Sequence, residues 1–282
     1  MADTGIETSG GRQDARFQLW HGADQLRVLL ARNDIDFSAA PTHVPAQLAN
    51  RGQRVRLLNV AVWGMLWLVS RDRDVHDFGD LRGRQLLMPY RRDMGAITLR
   101  AVLDSHGLVV DRDVQILHTR DAQDAVALML AGRGEHALLP EPTASLLLWR
   151  NRHRGGAPLY RVQSLEAAWS TQFPQHPQLP QAGVMAAAAR ADDHALAAAI
   201  VSEYAHAARW CKAQPRDCAQ MAQRHLPDIP VPVLESAIRV TRLDGVPARQ
   251  VQPTLAALYR QILAQQPDAI GGAMPADEYY GP

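Results

Sequence analysis

Cysteine is nearly absent from this 282-residue sequence, which holds only Cys211 and Cys218. Two thiolates cannot complete a tetrahedral zinc site or an iron–sulfur cluster by themselves, and one pair is no framework for a small disulfide-stapled fold. Lysine is scarcer still. Of 30 basic residues one is a lysine, Lys212, and the arginines are scattered, which reads as coding bias rather than chemistry. Charge of one sign is also lacking. With 29 acidic residues the formal net charge is +1, so no global field recruits nucleic acid or an anionic membrane. No apolar run approaches the roughly 18 to 20 residues that a membrane-spanning helix needs. Catalytic signatures are missing as well. There is no G-x-S-x-G elbow, no Walker loop, no G-x-G-x-x-G, and no H-E-x-x-H among the 11 histidines. His194 and His206 fall on one predicted helix but too far apart to share a metal, and Cys211 near His206 reads as a structural thiol rather than a nucleophile. The reading is a ligand-holding scaffold with no catalytic residue, no metal and no cofactor.

What is present is ordinary for a folded domain: 47% hydrophobic and 21% charged residues, in a length that suits one large or two mid-sized compact units. The first eleven residues are dominated by Gly, Ser and Thr, and residues 1–15 are expected to be disordered. No basic segment followed by an apolar one opens the chain, which leaves a cytoplasmic protein or a mature or mis-started form of an exported one.

Periodicity then predicts alternating elements. A short strand at 16–20 is followed by a helix over 23–31, a strand at 35–40 and a helix over 44–50 with Thr42 as its N-cap. Strands follow at 55–62 and 65–70. The pattern continues with a strand near 85–89, a helix over 96–106, a strand at 114–117, a helix over 122–130, a strand at 136–139 and a helix over 143–149. Such alternation argues an α/β fold with largely parallel sheets. A Pro-, Gly-, Gln- and His-rich stretch spans 151–180, a last strand is expected at 183–187, and helices are expected over 192–212, 216–225, 232–240 and 253–265.

Four segments carry a resemblance. They are Asp36-Phe37-Ser38-Ala39-Ala40-Pro41-Thr42-His43, the run from Leu57 to Ser70 through Trp63-Gly64, Leu81-Arg82-Gly83-Arg84 with the strand after it, and Leu128 to Gly132 through Leu138-Leu139-Pro140-Glu141-Pro142. In this order, over residues 24–149, they resemble the periplasmic solute-binding proteins of the nitrate/sulfonate/taurine and thiamine-precursor ABC uptake group. The sequence departs from that pattern at Pro89 to Gly95, which replaces a Ser/Thr-rich turn, and it lacks the cysteine cluster of the fold-related thiamine-pyrimidine synthase.

The resemblance implies a two-lobed type-II periplasmic-binding-protein fold with a helical C-terminal segment. One lobe is expected from 16–70 plus 179–282 and the other from 71–178. It further implies a monomer that captures a small anionic or heteroaromatic solute in an interlobe cleft for an ABC permease. The periplasm is the implied compartment. A cytoplasmic ligand sensor and a synthase or lyase on the same fold remain alternatives.

In such sheets ligands sit beyond the carboxyl ends of strands, at helix N-termini. That singles out Thr42 and His43, then Arg91, Asp93 and Gly95, then Glu141. Trp20, Trp63 and Trp169 are candidates for stacking on a flat solute. Trp67, Trp149 and Trp210 read as packing. Cys211 and Cys218 would lie too far apart on one continuous helix, but Pro215 between them forces a corner that brings them within bridging reach. Bridged and unpaired cysteines are both open at this point.

Overall fold

The computed structural model describes residues 4–8, 11–20 and 23–281. The chain divides into two compact units, Met1–Ala61 with Pro180–Arg209 and Asp244–Pro282, and Val62–Leu179 with Trp210–Leu243. The sequence reading instead places 62–70 and 210–243 with the N-terminal lobe. Among the described residues no helix is long and apolar enough to cross a membrane.

Strands β1 (Thr4–Thr8) and β2 (Gly11–Ala15) pair antiparallel, Thr4 opposite Ala15 and Thr8 opposite Gly11. This corrects the expected disorder of 1–15 for those residues; the remainder of the stretch lies outside the described residues. Alternating Thr4, Ile6 and Thr8 favour the extended pairing. The strand expected at 16–20 is not formed.

Helix α1 (Ala23–Ala31), strand β3 (Phe37–Pro41), helix α2 (His43–Asn50) and strands β4 (Arg56–Leu57) and β5 (Asn59–Val62) complete the N-terminal portion. Then come β6 (Leu66–Ser70), β7 (Gln85–Met88), α3 (Met94–Ser105), β8 (Gln115–His118), α4 (Ala122–Leu130), β9 (His136–Pro140), α5 (Thr143–His153), β10 (Tyr160–Ser164) and α6 (Leu165–Gln172). Asp93, Asp121 and Ser164 start α3, α4 and α6 by accepting the backbone N–H of Ala96, Asp124 and Ala167. Beyond lie β11 (Ala182–Ala186), α7 (His194–Ala213), α8 (Pro215–Gln223), α9 (Val231–Val240), β12 (Leu243–Pro247) and α10 (Gln252–Gln265).

The sheet of the first unit runs β12-β5-β11-β3, with β4 also on β11. Successive β11 side chains point to opposite faces. Val184 and Ala186 join Leu58 under Leu196, Ala197, Ile200 and Val201 of α7, whereas Met185 packs with Leu26, Ala40, Leu48 and Val55 beneath α1 and α2.

The sheet of the second unit runs β10-β6-β9-β7-β8. Its core joins Val69, Leu87, Ala137 and Leu139 to Ala125, Val126 and Met129 of α4 and Ala144 and Leu147 of α5. Only part of the parallel expectation holds. β7 is parallel to β8 and β9, but β6 runs antiparallel to both β9 and β10, and β11 antiparallel to β3 and β4. A helix between two strands imposes parallel pairing only when the strands become neighbours. Here β6 lies between β9 and β10. The helices α8 and α9 belong to this unit, and Ser236 of α9 is held by Ser145 of α5 at 3.2 Å.

Candidate functional site

In the first unit β3 ends directly on α2. Thr42 occupies the N-cap position, yet its hydroxyl does not cap the helix. It donates to the Pro180 carbonyl at 2.7 Å, while its N–H donates to the Gln181 carbonyl at 3.0 Å. The Thr42 carbonyl accepts from the hydroxyls of Tyr259 and Tyr279 at 2.8 and 3.1 Å. His43 follows with 9% of its surface exposed. Burial pushes its titration down to about 4, so the imidazole is neutral near pH 7, and its Nδ1 has no partner among the described residues. Trp20 packs against the same cluster as α2, and its indole N–H donates to Ser38 Oγ at 3.1 Å.

In the second unit the parallel strands β7 and β9 deliver α3 and α5 to the same edge of the sheet. The start of β6 reaches that edge too, with Leu66 opposite Pro140. Asp93, Gly95, Glu141 and Trp63 are therefore brought to one end of one sheet. Asp93 is half-buried. Desolvation raises its pKa, against the opposing pull of backbone N–H groups of Ala96, Gly95 and its own residue and of His118. Gly95 is required by space, since a Cβ there would stand 2.9 Å from the Tyr90 ring. Arg91 and Arg92 are exposed.

Glu141 is buried and ion-paired with Arg161, and its other oxygen accepts the Ser145 N–H at 3.1 Å. Arg161 also donates to Ser145 Oγ at 2.8 Å and lies over the Trp67 ring at 4.8 Å. A second set has the same composition. Arg242 lies 5.0 Å from the Trp63 ring centroid and 3.4 Å from Glu166. Trp63 is fully buried and its backbone N–H donates to the Arg242 carbonyl, while the indole nitrogens of Trp63 and Trp67 lack partners among the described residues. Trp169 is 2% exposed, donates to the His176 carbonyl at 3.0 Å and packs 4.1 Å from the Phe173 ring.

Cys211 and Cys218 are joined at a Cα separation of 5.1 Å. Gln214 leaves the helical region and Pro215 opens α8, which makes the corner.

Sequence reasoning missed Arg161, Arg242, Glu166, Tyr259 and Tyr279, all in segments read as linker or helical tail. One signal was available for Arg161: a carboxylate expected at a buried strand end needs a cation nearby. A serine–histidine pair, Ser70 with His136 at 2.9 Å, lies at the opposite end of β6 and β9; both residues are buried and the Ser70 hydroxyl also meets the Asp72 backbone.

Two mixed α/β units with this element order define the fold of the two-lobed periplasmic binding proteins. Among solved structures, an ABC transporter from Parabacteroides distasonis superposes with a TM-score of 0.78 at 17% identity, over 96% of this chain and 89% of that one. The periplasmic aliphatic sulphonate binding protein SsuA from Escherichia coli gives 0.68 at 16% identity, over 92% and 79%. The desulfurization enzyme DSZB gives 0.57 at 13% identity, over 87% and 82%. No family model and no curated protein matches the sequence.

Proposed function

We propose that the chain is the solute-binding component of an ABC-type uptake system, taking a small anionic or heteroaromatic solute in the periplasm and passing it to a permease. The observation that carries this is the fold match over 96% of the chain to a protein described as an ABC transporter. A binding protein named for aliphatic sulphonates matches over 92%, which favours a sulfonate-like head group. The Cys211–Cys218 bridge supports the compartment, because disulfides persist in oxidising spaces and are rare in the cytosol.

The test is thermal denaturation against short alkanesulfonates, taurine, nitrate and a pyrimidine thiamine precursor, beside native mass spectrometry of the protein as purified. A solute at a hundred times its Kd adds about 2.7 kcal/mol to stability, a rise of several degrees in Tm. Flat melting across the panel with no retained solute would overturn the reading. Alkylation of unreduced protein recovered from the periplasm should leave both cysteines unmodified; two alkylated cysteines would reject the bridge and with it this support for the compartment. The likeness to DSZB favours a second reading, an enzyme on the same fold. Recovery of a bound solute with altered mass after incubation would select that reading.

A further inference from the structure

The sheet edge of the second unit where β7 and β9 end also receives Glu166. Strand β10 runs antiparallel to β6 with Ser164 opposite Trp67, so α6 begins at that end and carries Glu166 in its first turn. Trp63, Gly64, Glu166 and Arg242 all belong to this unit. Ligands of α/β sheets sit beyond the carboxyl ends of parallel strands.

The Glu166 carboxylate is seated there but held weakly. Its Oε1 lies 3.4 Å from Arg242 Nη1, beyond the usual range of such a bond. Its Oε2 fills the space that a side chain at position 64 would take, since a Cβ there would stand 2.3 Å from it. Desolvation raises the Glu166 pKa, and Arg242 opposes the rise without cancelling it. Arg242 is the complement of this seat. Its guanidinium lies over the Trp63 ring, its side chain is 38% exposed, and Glu166 is its one side-chain polar contact among the described residues. A guanidinium carries five N–H donors in a fixed fork, so most of this fork is unused by the protein. Arg161, over Trp67, differs: its fork meets both Glu141 and Ser145. Of the two like sets, one keeps an accessible cation with donors to spare.

We propose that Arg242 is the head-group cation of this unit and that Glu166 is a resident surrogate for the anion of the solute. A sulfonate-like head takes the guanidinium fork over Trp63 and the space before Gly64, and the Glu166 carboxylate swings away. This rests on the solute-binding reading and names the residue that recognises the head. A tetrahedral head offers several oxygens, so it can accept two parallel N–H bonds from the fork, which Glu166 does not. The displaced carboxylate stays in the first turn of α6, where the helix dipole favours negative charge.

The test titrates methanesulfonate into the full chain by calorimetry, beside two-dimensional NMR of the arginine Nε–H resonances, with Arg242→Lys giving the assignment. Glu166→Gln keeps the shape and removes the competing charge; Kd should tighten about two- to fivefold. Arg242→Gln should weaken binding about tenfold or more, and Arg242→Lys, which keeps the charge without the fork, should recover only part of that. The Arg242 resonance should move on titration. Binding that weakens or stays level in Glu166→Gln would overturn the surrogate role. A wild-type Kd in Arg242→Gln would overturn the Arg242 contact while solute binding stands. Should that variant fail to fold, the wild-type resonance decides: unmoved at saturating methanesulfonate, it rejects the contact. If neither methanesulfonate nor any other panel solute binds, the solute reading fails, and a sodium sulfate titration still decides the anion seat. A larger shift of the Arg242 resonance in Glu166→Gln than in the wild type keeps the seat; any other result ends it.

Discussion

Trp67–Arg161–Glu141 and Trp63–Arg242–Glu166 use the same three residue types in the same unit, and they differ in burial and in what else satisfies them. In the first, the side chains of Arg161 and Glu141 are 15% and 3% exposed, and Ser145 meets both partners, its N–H on the carboxylate and its hydroxyl on the guanidinium. In the second the exposures are 38% and 19%, the contact is 3.4 Å, and burial raises the Glu166 pKa in spite of Arg242. Identical chemistry therefore carries different stakes. A largely desolvated pair is held by its surroundings and fails badly when halved, whereas a half-wet pair is screened and relaxes.

The largest expected effect breaks the buried set. Glu141→Ala leaves a largely buried guanidinium without its counter-charge and should cost about 3 kcal/mol, read as the midpoint of urea unfolding. Glu166→Ala should cost under about 1 kcal/mol, as exposed pairs do. Equal losses would erase the contrast. The double change Glu141→Leu with Arg161→Met sharpens it, since removing both charges should recover most of the loss.

A smaller effect comes through Gly64. A Cβ at this position would stand 2.3 Å from Glu166 Oε2 and 2.7 Å from its Cβ, so the alanine variant must push Glu166 aside. The Glu166 tip is flexible but its Cβ is not, and overpacking of this kind costs about 1–3 kcal/mol. Gly64→Ala in a Glu166→Ala background should recover only the part owed to the carboxylate. Complete recovery would mean that the Cβ contact carries no strain.

Gly64 also marks how far the sequence could be read. A bend between two strand-like runs was legible at Gly64, and so were the helix starts at Asp93 and the corner at Pro215, because each is dictated by local backbone chemistry. The partner of Glu141 was not. Arg161 reaches it from β10, across β6, and a strand order in which β6 separates β9 from β10 leaves no trace in local periodicity. The same limit hid Tyr259 and Tyr279, whose hydroxyls meet Thr42 across more than two hundred residues of chain. Conversely, Thr42 was legible as the N-cap position of α2, but a threonine caps a helix by accepting a backbone N–H from an extended backbone of its own. Thr42 is instead already helical, at φ −60° and ψ −24°, and its hydroxyl donates to the Pro180 carbonyl.

The smallest effect is a pH dependence that belongs to the half-wet set. Desolvation raises the Glu166 pKa above its ordinary 4.5, and Arg242 opposes the shift by charge and hydrogen bond without cancelling it. A carboxyl whose folded pKa is raised binds its proton more tightly in the folded state. It favours the fold below the ordinary value and loses that contribution as pH rises through the raised one. Wild-type stability minus that of Glu166→Gln should therefore fall as pH climbs from below 4.5 through the raised value and then level off. The amide keeps the shape and cannot ionise, so other titrating groups cancel in the difference. Urea midpoints measured at intervals from pH 4 to pH 7 read that difference directly. A difference that instead grows with pH would mean that Arg242 holds the carboxylate more firmly than burial penalises it, and the two tryptophan–arginine–glutamate sets would then be alike in kind.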